Sequence, residues 1–586
     1  MIARWRGLTV LVPALLTLLF LLTAAAAAAR HEMWKDEIIA WLLARDARTP
    51  WDLFSMIKYE GHPGLWHLLL WPVAHLTWNP AAMQGLHVLI ASAAVFVLLR
   101  YAPFSWPVRM ATAAGYFLAY EWAVIARNYA ISVLLFFIFC ALYGRRWQRF
   151  PLLAIVLFLL CHTNVHSLLL VAVLFAVLLV EFAVAWIRKW PVLDGCRRRI
   201  VFGFVLIAAG LATAVVQIKP PPDSGFAPEW RFTWELAHVQ QVAGVVTRAY
   251  VPLPPDRLTF WYGNRLIEAG GQGAPRPWYA VPADRTITVA VCILMAGCLF
   301  FLTRPWMAVP YIAGSLALCG LFYVKYIGSA RHHGFLFLLF LTTLWLSTHY
   351  PRWRAPWRWL DAGLSFWDRH RMTLLLPLLL VHVWGASIAL RQDWGGTFSN
   401  ARAAAAWIRG AFPDRSRLVF VGDDSANAVP VVGYLPLDRI FYPDRNEFGA
   451  HLILDRRWSW GPSGQLVRRV PPLIASQQKD AFLILSFPLP KTDAERLNAR
   501  FLKSIDASSI SGESYYLYLC PFQPQAGARD VMERNAEQGK AGHKGGSRAP
   551  AREQAARGRG ESRQDARVAV RRWTLTEVLD HEQPSS

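Results

Sequence analysis

Two adjacent carboxylates, Asp36 and Glu37, stand in the segment His31-Glu-Met-Trp-Lys-Asp-Glu-Ile, just after a long apolar run. A carboxylate at such a boundary can take a proton from an incoming hydroxyl as a general base. The same pair also suits the first turn of a helix, where anionic side chains complement the helix dipole. About 25 residues further on, Lys58-Tyr-Glu-Gly-His62-Pro-Gly-Leu sets His62 between Gly61 and Pro63, a turn that would hold an imidazole at the same boundary. Three more polar groups interrupt apolar runs. In Arg127-Asn128-Tyr129 the guanidinium either snorkels to an interface or meets a phosphate. In Cys161-His162-Thr-Asn-Val-His166 the turn could bind a hydroxyl or a metal, although no HExxH spacing accompanies it. In Arg331-His332-His333 positive charge sits at the mouth of two apolar runs, where it is costly without a partner. A phosphate suits it: guanidinium is a two-pronged donor, and the helix that follows adds its N-terminal dipole.

The elements that must position these groups follow from composition. The chain is 586 residues long, 55% hydrophobic and only 17% charged, too apolar for an ordinary soluble enzyme of that length. A formal charge of +22 invites a nucleic-acid reading, but no zinc-finger or RRM motif appears, and most Arg and Lys lie between apolar runs. Runs long enough to cross a bilayer recur at approximately 8–29, 80–100, 106–121, 128–143, 151–164, 167–187, 200–217, 286–303, 306–326, 333–349 and 373–391. The expected fold is therefore an α-helical polytopic membrane protein of about eleven spans. Arg4 and Arg6 also fit a cleavable signal peptide, a reading that leaves residue 31 onward on the same side.

With the N-terminus in the cytoplasm, every second loop is both cytoplasmic and basic: Arg100 and Arg109; Arg145, Arg146 and Arg149; Arg188 to Arg199; Arg304; and Arg352 to Arg371. The opposite loops, 31–79 and 218–285 among them, then share the outer side with everything after residue 391. All the candidate groups fall on that outer side. Residues 36–48 and 63–78 are expected as two helices lying on the outer membrane surface. Strand-like runs at Leu418-Val-Phe-Val, Phe482-Leu-Ile-Leu and Tyr515-Tyr-Leu-Tyr-Leu, with a helix near 401–409, predict a small extracytoplasmic α/β domain over 394–525. Asp423 and Asp424, at the end of the first strand, either touch an acceptor or form a turn. Residues 526–586 read as a mostly disordered tail.

In this order, over roughly residues 8–390, the pieces resemble the GT-C superfamily of integral-membrane glycosyltransferases, in the branch of protein O-mannosyltransferase-like and aminoarabinose-transferase-like enzymes. Asp36-Glu37 corresponds to that family's Asp-Glu pair, and His62-Pro63-Gly64-Leu65 to its His-Pro-Pro-Leu motif, with Gly64 replacing the second proline. Arg127-Asn128-Tyr129 matches an Arg-x-Tyr element, His162 to His166 a His-containing turn, and Arg331-His332-His333 a late cationic cluster. The resemblance implies residues 1–393 as the transferase domain, Asp36 as the general base with Glu37 as the second catalytic carboxylate, and Arg331 as phosphate anchor. His62, Arg127, Tyr129, His162, His166, His332 and His333 would bind substrate. It implies inverting transfer from a polyprenyl-phosphate-linked sugar to an extracytoplasmic lipid, glycan or protein, in the inner membrane. The partners are that donor, that acceptor and the bilayer, with no nucleic acid. No metal ligand is assigned, although some members of the family use a divalent metal. A flippase for lipid-linked sugars and a non-catalytic envelope assembly factor are the competing functions; a flippase needs a polar path through the membrane, and the candidate groups gather on one face.

Overall fold

The computed structural model describes residues 2–225, 230–267, 279–423, 427–451, 453–457 and 463–523. Asp424, part of the 218–285 loop and the 526–586 tail lie outside the described residues.

The chain is mostly helical. The first apolar run forms α1 (Ile2–Arg30); the loop after it forms α2 (Lys35–Asp46), α3 (Pro50–Met56) and α4 (Leu65–Leu76). Then come α5 (Ala81–Tyr101), α6 (Trp106–Ala113), α7 (Tyr129–Tyr143), α8 (Phe150–Cys161), α9 (Val165–Ile187) and α10 (Arg197–Ile218). The second half adds α11 (Leu236–Tyr250), α12 (Thr286–Leu299), α13 (Ala308–Val324), α14 (Ala330–Ser347), α15 (Arg358–Leu374) and α16 (Leu376–Gly395). Among the described residues, six stretches are long and apolar enough to cross a membrane: Val10–Arg30, Ala81–Tyr101, Val165–Ile187, Arg197–Ile218, Pro305–Val324 and Arg358–Gly395. α1 shows the expected surface, with Leu11, Leu15, Leu18 and Leu22 exposed where lipid tails would cover them.

Three expected features take a different form. The 106–121 run is not one helix: α6 ends at Ala113 and a π turn, Phe117–Glu121, follows. The short helices α7 and α8 are apolar but fall below the length that spans alone. α2 is not a surface helix, for Glu37 to Ala44 are all buried. Ala40 and Ala44 give its second face room to pack, and it lies between α4 and the C-terminal domain.

At the centre runs α14, buried along its whole length from Arg331 to Ser347 against α7, α9, α11 and α13. A helix apolar on every side is stable only when surrounded in this way. Gly334 lets it approach closely, because a Cβ there would meet Phe117 and Trp122 at 2.6 Å.

The C-terminal domain holds α17 (Ala401–Ala411), α18 (Ala428–Tyr434), α19 (Leu466–Gln477) and α20 (Lys491–Arg496). Its strands are β1 (Leu418–Gly422), β2 (Ile440–Tyr442), β3 (Glu447–Gly449), β4 (Asp480–Leu485), β5 (Arg500–Ile505) and β6 (Tyr515–Cys520), in spatial order β3-β2-β1-β4-β6-β5. β2, β1 and β4 are parallel and the outer pairings antiparallel. Alternation along β1 splits its residues between two cores. Val419 and Val421 pack with Leu466, Val470 and Leu473 of α19, while Leu418 and Phe420 join the core that continues into the helical body. The domain is thereby continuous with α2. Gly433 of α18 sits so close to Ile38 that a Cβ would lie 2.5 Å from its Cγ2. Gly433→Ala is therefore expected to cost about 1–3 kcal/mol by overpacking, read as a lower thermal midpoint in detergent. An unchanged midpoint would mean that this contact yields freely.

Candidate functional site

α2 begins at Lys35, so Asp36 and Glu37 fall in its first turn, and the helix sends adjacent side chains about 100° apart. They meet different surroundings as a result. Glu37 points inward and is fully buried. Its Oε1 accepts the Ala126 amide at 2.7 Å, and its Oε2 accepts the Trp34 amide at 3.2 Å and contacts His31 Nε2 at 3.0 Å. With both oxygens engaged, Glu37 is placed to position rather than to exchange protons. Asp36 keeps about 27% of its side chain exposed. Arg331 Nη2 donates to its Oδ2 at 3.1 Å, and Oδ1 makes no hydrogen bond among the described residues.

Arg331 sits on the first turn of α14, packed by indoles. Its guanidinium carbon lies 5.2 Å from the ring centroid of Trp34 and 5.3 Å from that of Trp261. Such faces stabilise a cation removed from water. Glu121 fixes the second indole, accepting Trp261 Nε1 at 3.2 Å. Arg331 Nε has no partner among the described residues, and neither does Arg127 Nε. Arg127 comes from the segment before α7, and its Nη1 donates to the backbone carbonyl of Asp36. Two guanidiniums thus hold Asp36, one by its carboxylate and one by its carbonyl, each keeping donor capacity in reserve.

The histidines divide. His332 accepts the Ser329 amide on Nδ1 at 2.9 Å, which leaves its Nε2–H to donate to Tyr129 Oη at 2.8 Å. His166 stacks on His332 with ring centroids 5.1 Å apart. Burial first, then the guanidinium of Arg127 and more weakly that of Arg331, press the pKa of His62 well below the usual imidazole value, so it is neutral. His162 and His333 join none of these contacts. His162 bonds the Phe158 carbonyl at 2.8 Å and Thr213 Oγ1 at 3.0 Å, while His333 donates to the Ile327 carbonyl at 3.0 Å.

Gly64, the departure from the second proline, has a local reason. A Cβ there would lie 2.6 Å from the Phe54 ring, and its amide donates to Gln217 Oε1 at 3.1 Å, a bond proline cannot make. Gly61 takes φ +65°, the left-handed turn that brings Glu60 and His62 to the site.

Glu60 and His31 are among the groups at the site that were not singled out in the sequence. Burial lifts the Glu60 carboxyl to about 7, against the pull of Arg127 and with a further push from Asp36. Below that pH Glu60 is neutral and the cations are less compensated; above it, a negative charge opposes an anionic ligand. An anionic ligand of fixed charge at these guanidiniums is therefore expected to bind roughly fivefold more weakly as pH rises from 6 to 8, about 1 kcal/mol for a unit charge at this range. Glu60→Gln should remove that step in a fluorescence titration, and a step that survives would assign it elsewhere. The second group is His31, fully buried between Glu37 and Asp393, with Nδ1 2.9 Å from Asp393 Oδ2. Tyr120 donates to the same Asp393 oxygen at 3.1 Å. Burial opposes charge on His31, but Asp393 and Glu37 outweigh it and raise the pKa to about 10. It is an imidazolium holding two carboxylates. The clue was an ionisable residue at the end of the first run matched by another at the end of the last.

Among the described residues no three His, Cys, Asp or Glu side chains converge with the arrangement of a metal site. The assembly can accept a proton at Asp36 and offers guanidinium donors to an anion a few ångströms away. Compared with protein-family models and with curated proteins, the chain matches none.

Proposed function

We propose that this chain is an integral-membrane glycosyltransferase of the GT-C type. It moves a sugar from a polyprenyl-phosphate donor to an acceptor on the extracytoplasmic face of the inner membrane, within a body of about eleven spans whose C-terminal domain faces outward. The observation that carries this reading is the meeting of Asp36, Arg127 and Arg331, from three distant segments, with one carboxylate oxygen of Asp36 open and unused guanidinium nitrogens beside it.

In the reaction an acceptor hydroxyl attacks the anomeric carbon from the side opposite the phosphate. Asp36 removes the hydroxyl proton as the new C–O bond forms, the bond to the phosphate oxygen breaks, and configuration inverts. Arg331, with Arg127 behind it, stabilises the charge developing on the departing phosphate, and its indole sandwich keeps it oriented without reorganisation at that moment. Tyr129, held by His332, offers a hydroxyl to the donor. Glu37 and His31 hold the α2 turn that carries the base.

The experiment is transfer of radiolabelled sugar from a panel of polyprenyl-phosphate sugars, using membranes with and without the protein. Label reaching an acceptor only where the protein is present supports the reading and names the donor. Labelled lipid crossing the bilayer with no product formed would replace it with a flippase.

A further inference from the structure

α15 is amphipathic. Its two aspartates are ion-paired: Asp368 with Arg304 and with Arg371, the latter at 3.2 Å, and Asp361 with Arg352. Trp367 on the same side donates Nε1 to the Leu299 carbonyl at 2.9 Å. The opposite face carries Trp359, Ala362, Gly363 and Phe366, at the i, i+3, i+4, i+7 spacing of one helical stripe. Trp359 is 74% and Phe366 66% exposed, and Trp353 and Trp357 on the approach are exposed as well. Leaving such a stripe in water is unfavourable, while two indoles beside it suit the headgroup level of a bilayer.

Charge selects among bilayers. Arg354, Arg358 and Arg369 are exposed and make no hydrogen bond or ion pair among the described residues; Arg354 feels Asp361, which Arg352 already holds. Position agrees. α14 starts at the Arg331 cluster and runs 18 residues, about 27 Å of helix, before the chain turns into α15, and the membrane-crossing apolar run continues in α16. α15 therefore lies at the membrane face opposite the Asp36 site.

We infer that α15 is a docking surface for anionic phospholipid: its apolar stripe enters the headgroup layer of the leaflet opposite the Asp36 site, and Arg354, Arg358 and Arg369 bind the lipid phosphates. The inference stands whether or not the chain is a transferase.

The test is lipid retention by the purified full-length chain, measured by native mass spectrometry after exchange with phosphatidylglycerol or phosphatidylcholine. The wild type is expected to prefer phosphatidylglycerol, with the preference falling roughly fivefold for each arginine replaced in the Arg354→Gln, Arg358→Gln, Arg369→Gln series. The corresponding lysine series, which keeps the charge, should retain the preference. Equal retention of both lipids by the wild type, an unchanged preference in the triple glutamine variant, or a lysine variant as deficient as the glutamine one would overturn the inference. So would displacement of the bound lipid by millimolar inorganic phosphate, which would make the site one for the free anion.

Discussion

Asp36→Asn is expected to lower transfer by roughly 10²- to 10⁴-fold while the protein still inserts and folds. Asparagine keeps the size of the side chain and an oxygen that can accept from Arg331, so what disappears is the capacity to take a proton. Asp36 is partly exposed and the Arg331 guanidinium keeps its two indole neighbours, so a modest stability loss, about 1 kcal/mol, accompanies the change. Initial rates at saturating donor, beside a thermal unfolding curve of the same preparation, separate the two effects. Activity within tenfold of the wild type would remove Asp36 from the base role, and an unfolded variant would make the activity uninformative but contradict the stability expected here.

The second large effect falls on stability. His31→Leu leaves Glu37 and Asp393 facing one another in a buried space without their shared cation, an arrangement that typically costs 3–5 kcal/mol. A pH dependence accompanies it. Since the folded-state pKa of His31 is raised from the ordinary 6.5 to about 10, its contribution is complete below pH 6.5 and is lost as pH rises toward 10. The wild-type thermal midpoint should therefore decline between pH 6.5 and 10, and the His31→Leu variant should lack that decline. A wild-type curve flat over this window would show that His31 is neutral in the folded protein.

The apolar runs and the β1, β4 and β6 strands could be read from the chain because their signals are local: length, apolarity and short β-rich blocks. The strands β2, β3 and β5 were missed, two of them being three residues long and the third largely exposed. At the site, Asp36, His62, Arg127, His166, Arg331 and His332 were legible because each is a polar group near the end of an apolar run. What separates Asp36 from Glu37 was not legible, since it depends on which way one helical turn faces. The burial of α2 was hidden for a related reason: its second face is covered by α18, nearly four hundred residues later in the chain. His31 and Asp393 are 362 positions apart, and only their matching places, at the ends of the first and last apolar runs, connect them.

That separation has a consequence in time. The start of α2 and the residues just before it are held by the C-terminal domain: the Met33 amide donates to Tyr434 Oη at 2.7 Å, and the Lys35 amide donates to Glu513 Oε1 at 3.0 Å. A ribosome adding roughly 5–20 residues per second makes α2 some tens of seconds before it makes Glu513. During that interval the helix bearing Asp36 is already at the membrane with its leading amides unclaimed. The nascent chain cannot complete the Asp36 turn until nearly all of it has been translated and folded, so a truncated product would carry an unfinished site.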